Sequence, residues 1–351
     1  MVVFLTAVVF NTADAQINRR KIKKNNRSMS KFKGKNNTFT AAKRYSFVGL
    51  SGSALNYFGD LAPLPRRFST DFKFTRPSLG ATYGYRFGPF YTLRGQFSYG
   101  TVAGSDFESA DPLDENAKFR YIRNLQFRNR IVELSVTGVF DLFKNENTYI
   151  SRMLVVPYAY IGAALFHHNP KGYVHPDSGL PEAGTWVALQ PLGTEGQHST
   201  LPGDAVNAGI EPYKRIQISI PFGIGIRYKI NDYLDFSFES GFRYLFTDYI
   251  DDVSQNYVDP GVLNSDVARA MADRSQETTD AVSGEARDME TVNSTAGTSF
   301  ATPGGYSAFA GYGRESLTNM RGNKNDPDIY FVTTMRVTYI MGSGFKKAKF
   351  R

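Results

Sequence analysis

Cysteine is absent from this chain of 351 residues. Its absence excludes disulfides, thiolate nucleophiles, thiolate metal sites and a lipidated amino-terminal cysteine. No stretch of eighteen apolar residues occurs, so a membrane-crossing helix is excluded as well. Tryptophan appears once, at Trp186, and histidine four times. Acids are missing from 16–46, where eleven of the 41 Lys and Arg gather. The net charge of +8 therefore belongs to this arm, and the rest of the chain is near neutral.

Glycine (32), Phe (28) and Tyr (21) are abundant. The clearest pattern is 215–230, where polarity switches at every residue. Ile216, Ile218, Ile220, Phe222, Ile224, Ile226, Tyr228 and Ile230 alternate with Arg215, Gln217, Ser219, Pro221, Gly223, Gly225, Arg227 and Lys229. A period of two defines a β-strand with one apolar and one polar face. Sixteen residues far exceed the usual soluble strand, and about 9–11 tilted residues suffice to cross a bilayer core.

Seven more strands follow from the same alternation: 46–55, 77–87, 91–100, 131–143, 152–166, 234–246 and 329–341. The connections 88–89, 144–151 and 231–232 are short, whereas 56–76, 101–130, 167–214 and 247–328 are long. This alternation predicts an all-β fold: an eight-stranded antiparallel outer-membrane barrel over 46–341, with short periplasmic turns and long external loops. A soluble lipocalin-like barrel has the same strand count with its faces reversed, and periodicity alone does not separate the two. Loop asymmetry, strand length and the amino terminus favour the membrane.

That amino terminus, 1–15, reads as an export signal, with an apolar core at 1–10 and Ala13-Asp14-Ala15 as the cleavage pattern, although no basic residue precedes the core. The segment 16–45 reads as a basic, disordered periplasmic arm. Arg19, Arg20, Lys21, Lys23, Lys24 and Arg27 are its candidate partner-binding residues, and nucleic acid is not the expected partner after export. A short basic tail, 342–351, ends the chain. Within 247–328, residues 268–299 are polar, acidic and poor in aromatics, which predicts a mobile or partner-ordered loop rather than a second domain.

If the apolar stripes face lipid, Arg94, Glu133, Arg215, Arg227, Lys229, Glu239, Arg243 and Arg336 point inward. Eight strands leave room only for side chains, so these charges are expected to pair and plug the lumen. His167, His168, His175 and His198 share one loop but match no zinc spacing. Asp248, Asp251, Asp252 and Asp259 lack the ligand alternation of a calcium loop. Ser199 has no recognisable His–acid frame. No catalytic, metal or cofactor site is expected.

Several segments resemble the PorG-like outer-membrane proteins (the DUF6089 group). They are Asn56-Tyr57-Phe58-Gly59-Asp60-Leu61, Thr75-Arg76-Pro77-Ser78-Leu79-Gly80, Arg123-Asn124-Leu125 with Phe127-Arg128, Gln190-Pro191-Leu192-Gly193-Thr194-Glu195-Gly196-Gln197, and Tyr249-Ile250-Asp251-Asp252-Val253-Ser254 with Tyr257-Val258-Asp259. The resemblance implies an eight-stranded barrel associated with type IX secretion and tied on its periplasmic side to a ring of secretion subunits. It brings no catalytic residues. The expectation is a non-enzymatic barrel of the cell outer membrane, surrounded by lipid, that anchors or organises an envelope assembly through ring or lipoprotein subunits. No small-molecule substrate is expected. The alternative is a surface-binding or adhesion barrel acting through its external loops.

Overall fold

Long two-faced strands satisfy their backbone only by pairing, and here the pairing runs in a closed ring. The computed structural model describes residue 39 and residues 43–61, 74–115, 117–325 and 327–342. The expected signal 1–15, most of the expected arm, including Arg19, Arg20, Lys21, Lys23, Lys24 and Arg27, and the tail beyond Gly342 lie outside the described residues. In chain order the strands are β1 (Tyr45–Phe58), β2 (Arg76–Arg86), β3 (Tyr91–Ser105), β4 (Gln126–Asp141), β5 (Val155–His167), β6 (Pro170–Tyr173), β7 (Trp186–Ala188), β8 (Ile216–Lys229), β9 (Leu234–Leu245), β10 (Phe300–Ala301), β11 (Ser307–Ala308) and β12 (Ile329–Met341). Eight of them form the barrel in the order β3-β2-β1-β12-β9-β8-β5-β4, and β4 returns to β3. Every pairing is antiparallel, and β12 closes the ring on β1 from Ser46↔Met341 to Phe58↔Ile329.

Side chains settle which face meets which medium. Leu50, Leu79 and Ile224 are 73%, 71% and 68% exposed, whereas Glu239 and Arg336 are 2% and 3% exposed. A soluble barrel requires the reverse, because ionised groups are not buried while aliphatic stripes face water. The chain is therefore a closed eight-stranded membrane barrel.

Inward glycines make room for large rings. Gly225 of β8 lies beneath the Tyr158 ring, and a Cβ at Gly241 of β9 would collide with the Tyr160 hydroxyl. Glycine inside a strand costs local stability and is kept where another group approaches closely.

Three strands run past their expected ends. β1 reaches Phe58, β3 reaches Ser105, and β4 begins at Gln126. Beyond the bilayer edge both faces are covered by loop, so residues 102–105 are all buried and alternation no longer marks the strand.

The described parts of the long loops lie at one end and are folded. They carry α1 (Asp106–Ser109), α2 (Lys118–Arg123), α3 (Asp266–Ala272) and α4 (Met289–Ala296). β6 pairs with the extension of β4, and β7 pairs with β6. The expectation of a mobile loop over 268–299 is corrected. α3 and α4 sit on serine and aspartate caps, Ser265 and Asp288, and bury Ala268, Met271 and Val292 in apolar clusters. Met271 and Val292 pack inward while Val282 is left exposed, an arrangement that average composition does not reveal.

Candidate functional site: a filled lumen beneath a folded cap

The barrel interior is a stack of arginine–carboxylate layers. In the middle, Glu239 Oε1 accepts from Arg94 Nη1, from Arg336 Nη1 at 2.5 Å and from the Tyr158 hydroxyl at 2.6 Å. Arg336 Nη2 donates to Gln96 at 2.7 Å, and Arg94 Nε donates to Thr137 at 3.1 Å. On the cap side, Arg243 Nε donates to both oxygens of Glu133 at 3.1 and 3.0 Å, and Tyr330 adds a bond at 2.9 Å. Toward the periplasm, Asp141 accepts from Arg86 at 2.5 Å and lies 3.3 Å from Arg227, whose guanidinium stacks on Tyr158. Arg152 binds Asp235 at 2.6 Å together with the carbonyls of Asn231 and Asp232, tying two periplasmic turns together.

Of the residues predicted to face inward, Arg94, Glu133, Arg227, Glu239, Arg243 and Arg336 thus occupy the lumen. The expectation for Arg215 is corrected: it precedes β8 and donates to Gln190 of the cap at 3.1 Å. Lys229 sits at the periplasmic rim, bonded to the Ile150 carbonyl and 2.9 Å from Asp232. Arg215 lies just before β8 and Lys229 is its last residue, so the rim rather than parity decides where each long side chain ends. Arg86, Asp141, Asp235, Tyr158 and Gln96 belong to the same network. Alternation already places Arg86, Asp141 and Asp235 on polar faces, so counting parity along every strand finds them.

Both ends are sealed. Leu55, Tyr57, Val102, Phe127, Phe166 and Tyr330 belong to an apolar layer under the cap, and Tyr45, Tyr149 and Ile340 close the floor. Two lumen cavities, about 20 Å³ each, hold a water apiece at most. Among the described residues no conduit connects the ends.

The cap has its own charge network. Arg123 holds Asp106 in a two-pronged bond at 2.7 and 2.8 Å, and Arg321 binds Glu195 at 3.0 Å. At the cap's base the Tyr57 hydroxyl lies 2.7 Å from Asp251 Oδ2 and 2.6 Å from Asp328 Oδ1. One hydroxyl proton cannot serve both, so a carboxyl must donate in return and at least one of the two is protonated. Burial first, then repulsion from Asp328 and Asp60 on Asp251 and from Asp248 on Asp328, raises both carboxyls far above the usual range. Burial likewise lifts Asp248 to about 8 and Asp252 to about 6, the latter held back by Arg321.

The loop residues weighed for metal chemistry part ways. Asp252 turns to Thr194 and Tyr213, while Asp259 caps Gly261. His168 is buried against Tyr213, and burial lowers it to about 4. His175 meets Thr279, His198 meets the Gln190 carbonyl, and His167 faces outward at the end of β5. Ser199 donates to the Val262 carbonyl. Among the described residues no three His, Asp or Glu are arranged to hold a metal ion. An open pocket of about 420 Å³ on the cap is lined by Phe119, Arg120, Tyr312 and Met320 among others.

These features define an outer-membrane β-barrel: a closed antiparallel wall, an apolar belt turned to lipid, a charged plug and one end of long loops. A family model described as "Domain of unknown function (DUF6089)" matches residues 37–183, from just before β1 into the loop after β6. No curated protein matches the chain. Solved structures of similar shape include Neisserial surface protein A (NspA), with 9% identity, 84% of this chain and 96% of that chain covered, and a TM-score of 0.34. A major outer membrane protein from Thermus thermophilus is 12% identical over 84% of this chain and 99% of that one, with a TM-score of 0.35. OprG of Pseudomonas aeruginosa is 9% identical over 86% and 98%, with a TM-score of 0.34. At such identities and scores none of them bears on what this chain does.

Proposed function

We propose that the protein is a non-enzymatic, non-conducting outer-membrane scaffold that anchors an envelope assembly, the type IX secretion machinery. The filled lumen carries this reading. A carboxylate shared by two arginines, with an apolar layer above and aromatic rings below, provides neither a path nor a reactive group. Recognition then falls to the two rims. The periplasmic turns are short, so contact there falls to the basic arm with Arg19, Arg20, Lys21, Lys23, Lys24 and Arg27, facing ring or lipoprotein subunits. The DUF6089 match over 37–183 accords with the family resemblance of the sequence. Neither nucleic acid nor a small-molecule substrate has a role in this reading. Affinity purification of the full chain from detergent-solubilised envelopes tests it. Secretion subunits should accompany the chain and detach as salt rises above about 0.15 M, because exposed charges are screened there. A chain that always emerges alone overturns the reading.

The cap favours a second reading, attachment to an external ligand, because it is folded and open at the pocket beside Phe119 and Met320. Phe119→Ser with Met320→Ser should abolish such attachment and leave subunit co-purification untouched.

A further inference from the structure

The outer wall of the barrel carries charge in one place. Alternation and register assign every residue of the eight strands to the lumen or to the outside. Of the outward positions in these strands, only Arg128 and Arg130 of β4 hold a Lys, Arg, Asp or Glu. They stand two residues apart on one face, directly above Val132, Leu134 and Val136 of the lipid-facing stripe. Lys171 of β6 is the cross-strand partner of Arg128, so its side chain joins the same face. The Trp186 ring lies beneath the Arg128 guanidinium at 4.2 Å and holds it flat against the wall.

None of these three cations has a carboxylate partner among the described residues. That contrasts with the lumen, where each carboxylate is met by guanidinium. At the cap-side edge of the opposite wall stand Tyr244 and Phe246, aromatic and uncharged. Three like charges gathered without a counter-ion repel one another, and a bound anion relieves the repulsion.

We propose that Arg128, Arg130 and Lys171 form a binding site for the phosphorylated headgroup of an outer-leaflet glycolipid. The depth selects a lipid over a free anion. The cations sit at the extracellular rim of the apolar belt, so a headgroup phosphate meets them while its acyl chains lie along Val132, Leu134 and Val136. Guanidinium matches phosphate oxygens in paired hydrogen bonds, and Lys171 adds a point charge.

Native mass spectrometry of the full chain released from phosphatidylcholine nanodiscs doped with bis-phosphorylated lipid A tests the site. The wild type should retain lipid A, and Arg128→Gln with Arg130→Gln and Lys171→Gln should weaken retention about tenfold or more, equivalent to roughly 1.4 kcal/mol. Heat-modifiable gel mobility reports that the barrel is intact. If the triple variant does not fold, Arg130→Gln alone, at an exposed position, should still weaken retention several-fold. Dephosphorylated lipid A should not be retained. Equal retention by the variants, or retention of the dephosphorylated lipid, overturns the proposal. Displacement of lipid A by millimolar inorganic phosphate at constant ionic strength overturns the lipid assignment in favour of a free anion.

Discussion

The lumen and the cap both bury arginine, and they use it differently. In the lumen each guanidinium answers a carboxylate on another strand, as Arg243 answers Glu133 and Arg86 answers Asp141. In the cap the same group chiefly collects backbone carbonyls. Arg287 donates to the carbonyls of Ser275, Glu277, Tyr121 and Ile122, and Arg321 donates to those of Ala272 and Asp252. The reason is the backbone. Paired strands satisfy their own amides, so lumen side chains need only balance charge. Irregular loops leave carbonyls without partners, and burying them demands donors from elsewhere. A five-donor fork supplies several at once. The comparison teaches that the cap folds without much regular structure because arginine replaces the missing ladders.

Four experiments break or sharpen that contrast. The largest effect is expected from Glu239→Ala, which leaves Arg94 and Arg336 buried without their shared partner. A loss of about 3–5 kcal/mol should follow in urea unfolding from micelles. A loss below about 1 kcal/mol would show that the lumen charges do not act as one network.

Next comes Arg287→Lys, which keeps the charge but loses the fork. It should cost roughly 1–3 kcal/mol through unpaired carbonyls. Limited proteolysis should cut the cap while heat-modifiable mobility of the barrel persists. Loss of both together would contradict the separation of roles.

The third test is pH. Asp248 binds its proton more tightly in the folded cap than in the unfolded chain, so the stability it contributes is present in acid and is lost as pH rises through about 8. His168 has the opposite displacement, from 6.5 down to about 4, so its contribution fades as pH falls across that interval. Cap amide protection, corrected for intrinsic exchange, should therefore weaken as pH rises from neutrality to about 8, and Asp248→Asn should remove part of that loss. Between about 6.5 and 4 the two opposite displacements offset each other. A flat profile from pH 4 to 9 would sink this account. The smallest effect belongs to Lys144→Ala. It breaks an exposed pair with Glu146, and the same urea titration should shift by no more than about 0.5 kcal/mol.

The barrel was legible in the sequence because its strands bury one face and expose the other to a single medium, so period two survives along their length. Arg94, Glu239 and Arg336 could be placed inside from parity alone. Parity failed where the medium changes. Arg215 lies just beyond β8, and β3 and β4 continue under the cap with both faces covered. Tyr158 and Tyr160, near the middle of β5, could not be assigned a face because that strand is apolar on both sides. Most of the cap was illegible for a different reason. Its cohesion rests on contacts such as Arg123 with the Arg321 carbonyl, 198 residues apart, and no local period encodes them. Ser265 and Asp288 cap α3 and α4, but such signals are short and mark only where a turn of helix starts.

The seam between β1 and β12 has a consequence for biogenesis. The Ser53 hydroxyl meets that of Thr334 across 281 residues, and the first strand of the wall gains its second neighbour only when the last arrives. Until then both margins of the growing sheet offer unpaired amides, the arrangement most prone to mispairing. Loop-closure entropy rises slowly with length, so the span of the cap inserted before β12 adds little to the cost of this step. Both open edges vanish together when the final thirteen-residue strand zips the cylinder shut.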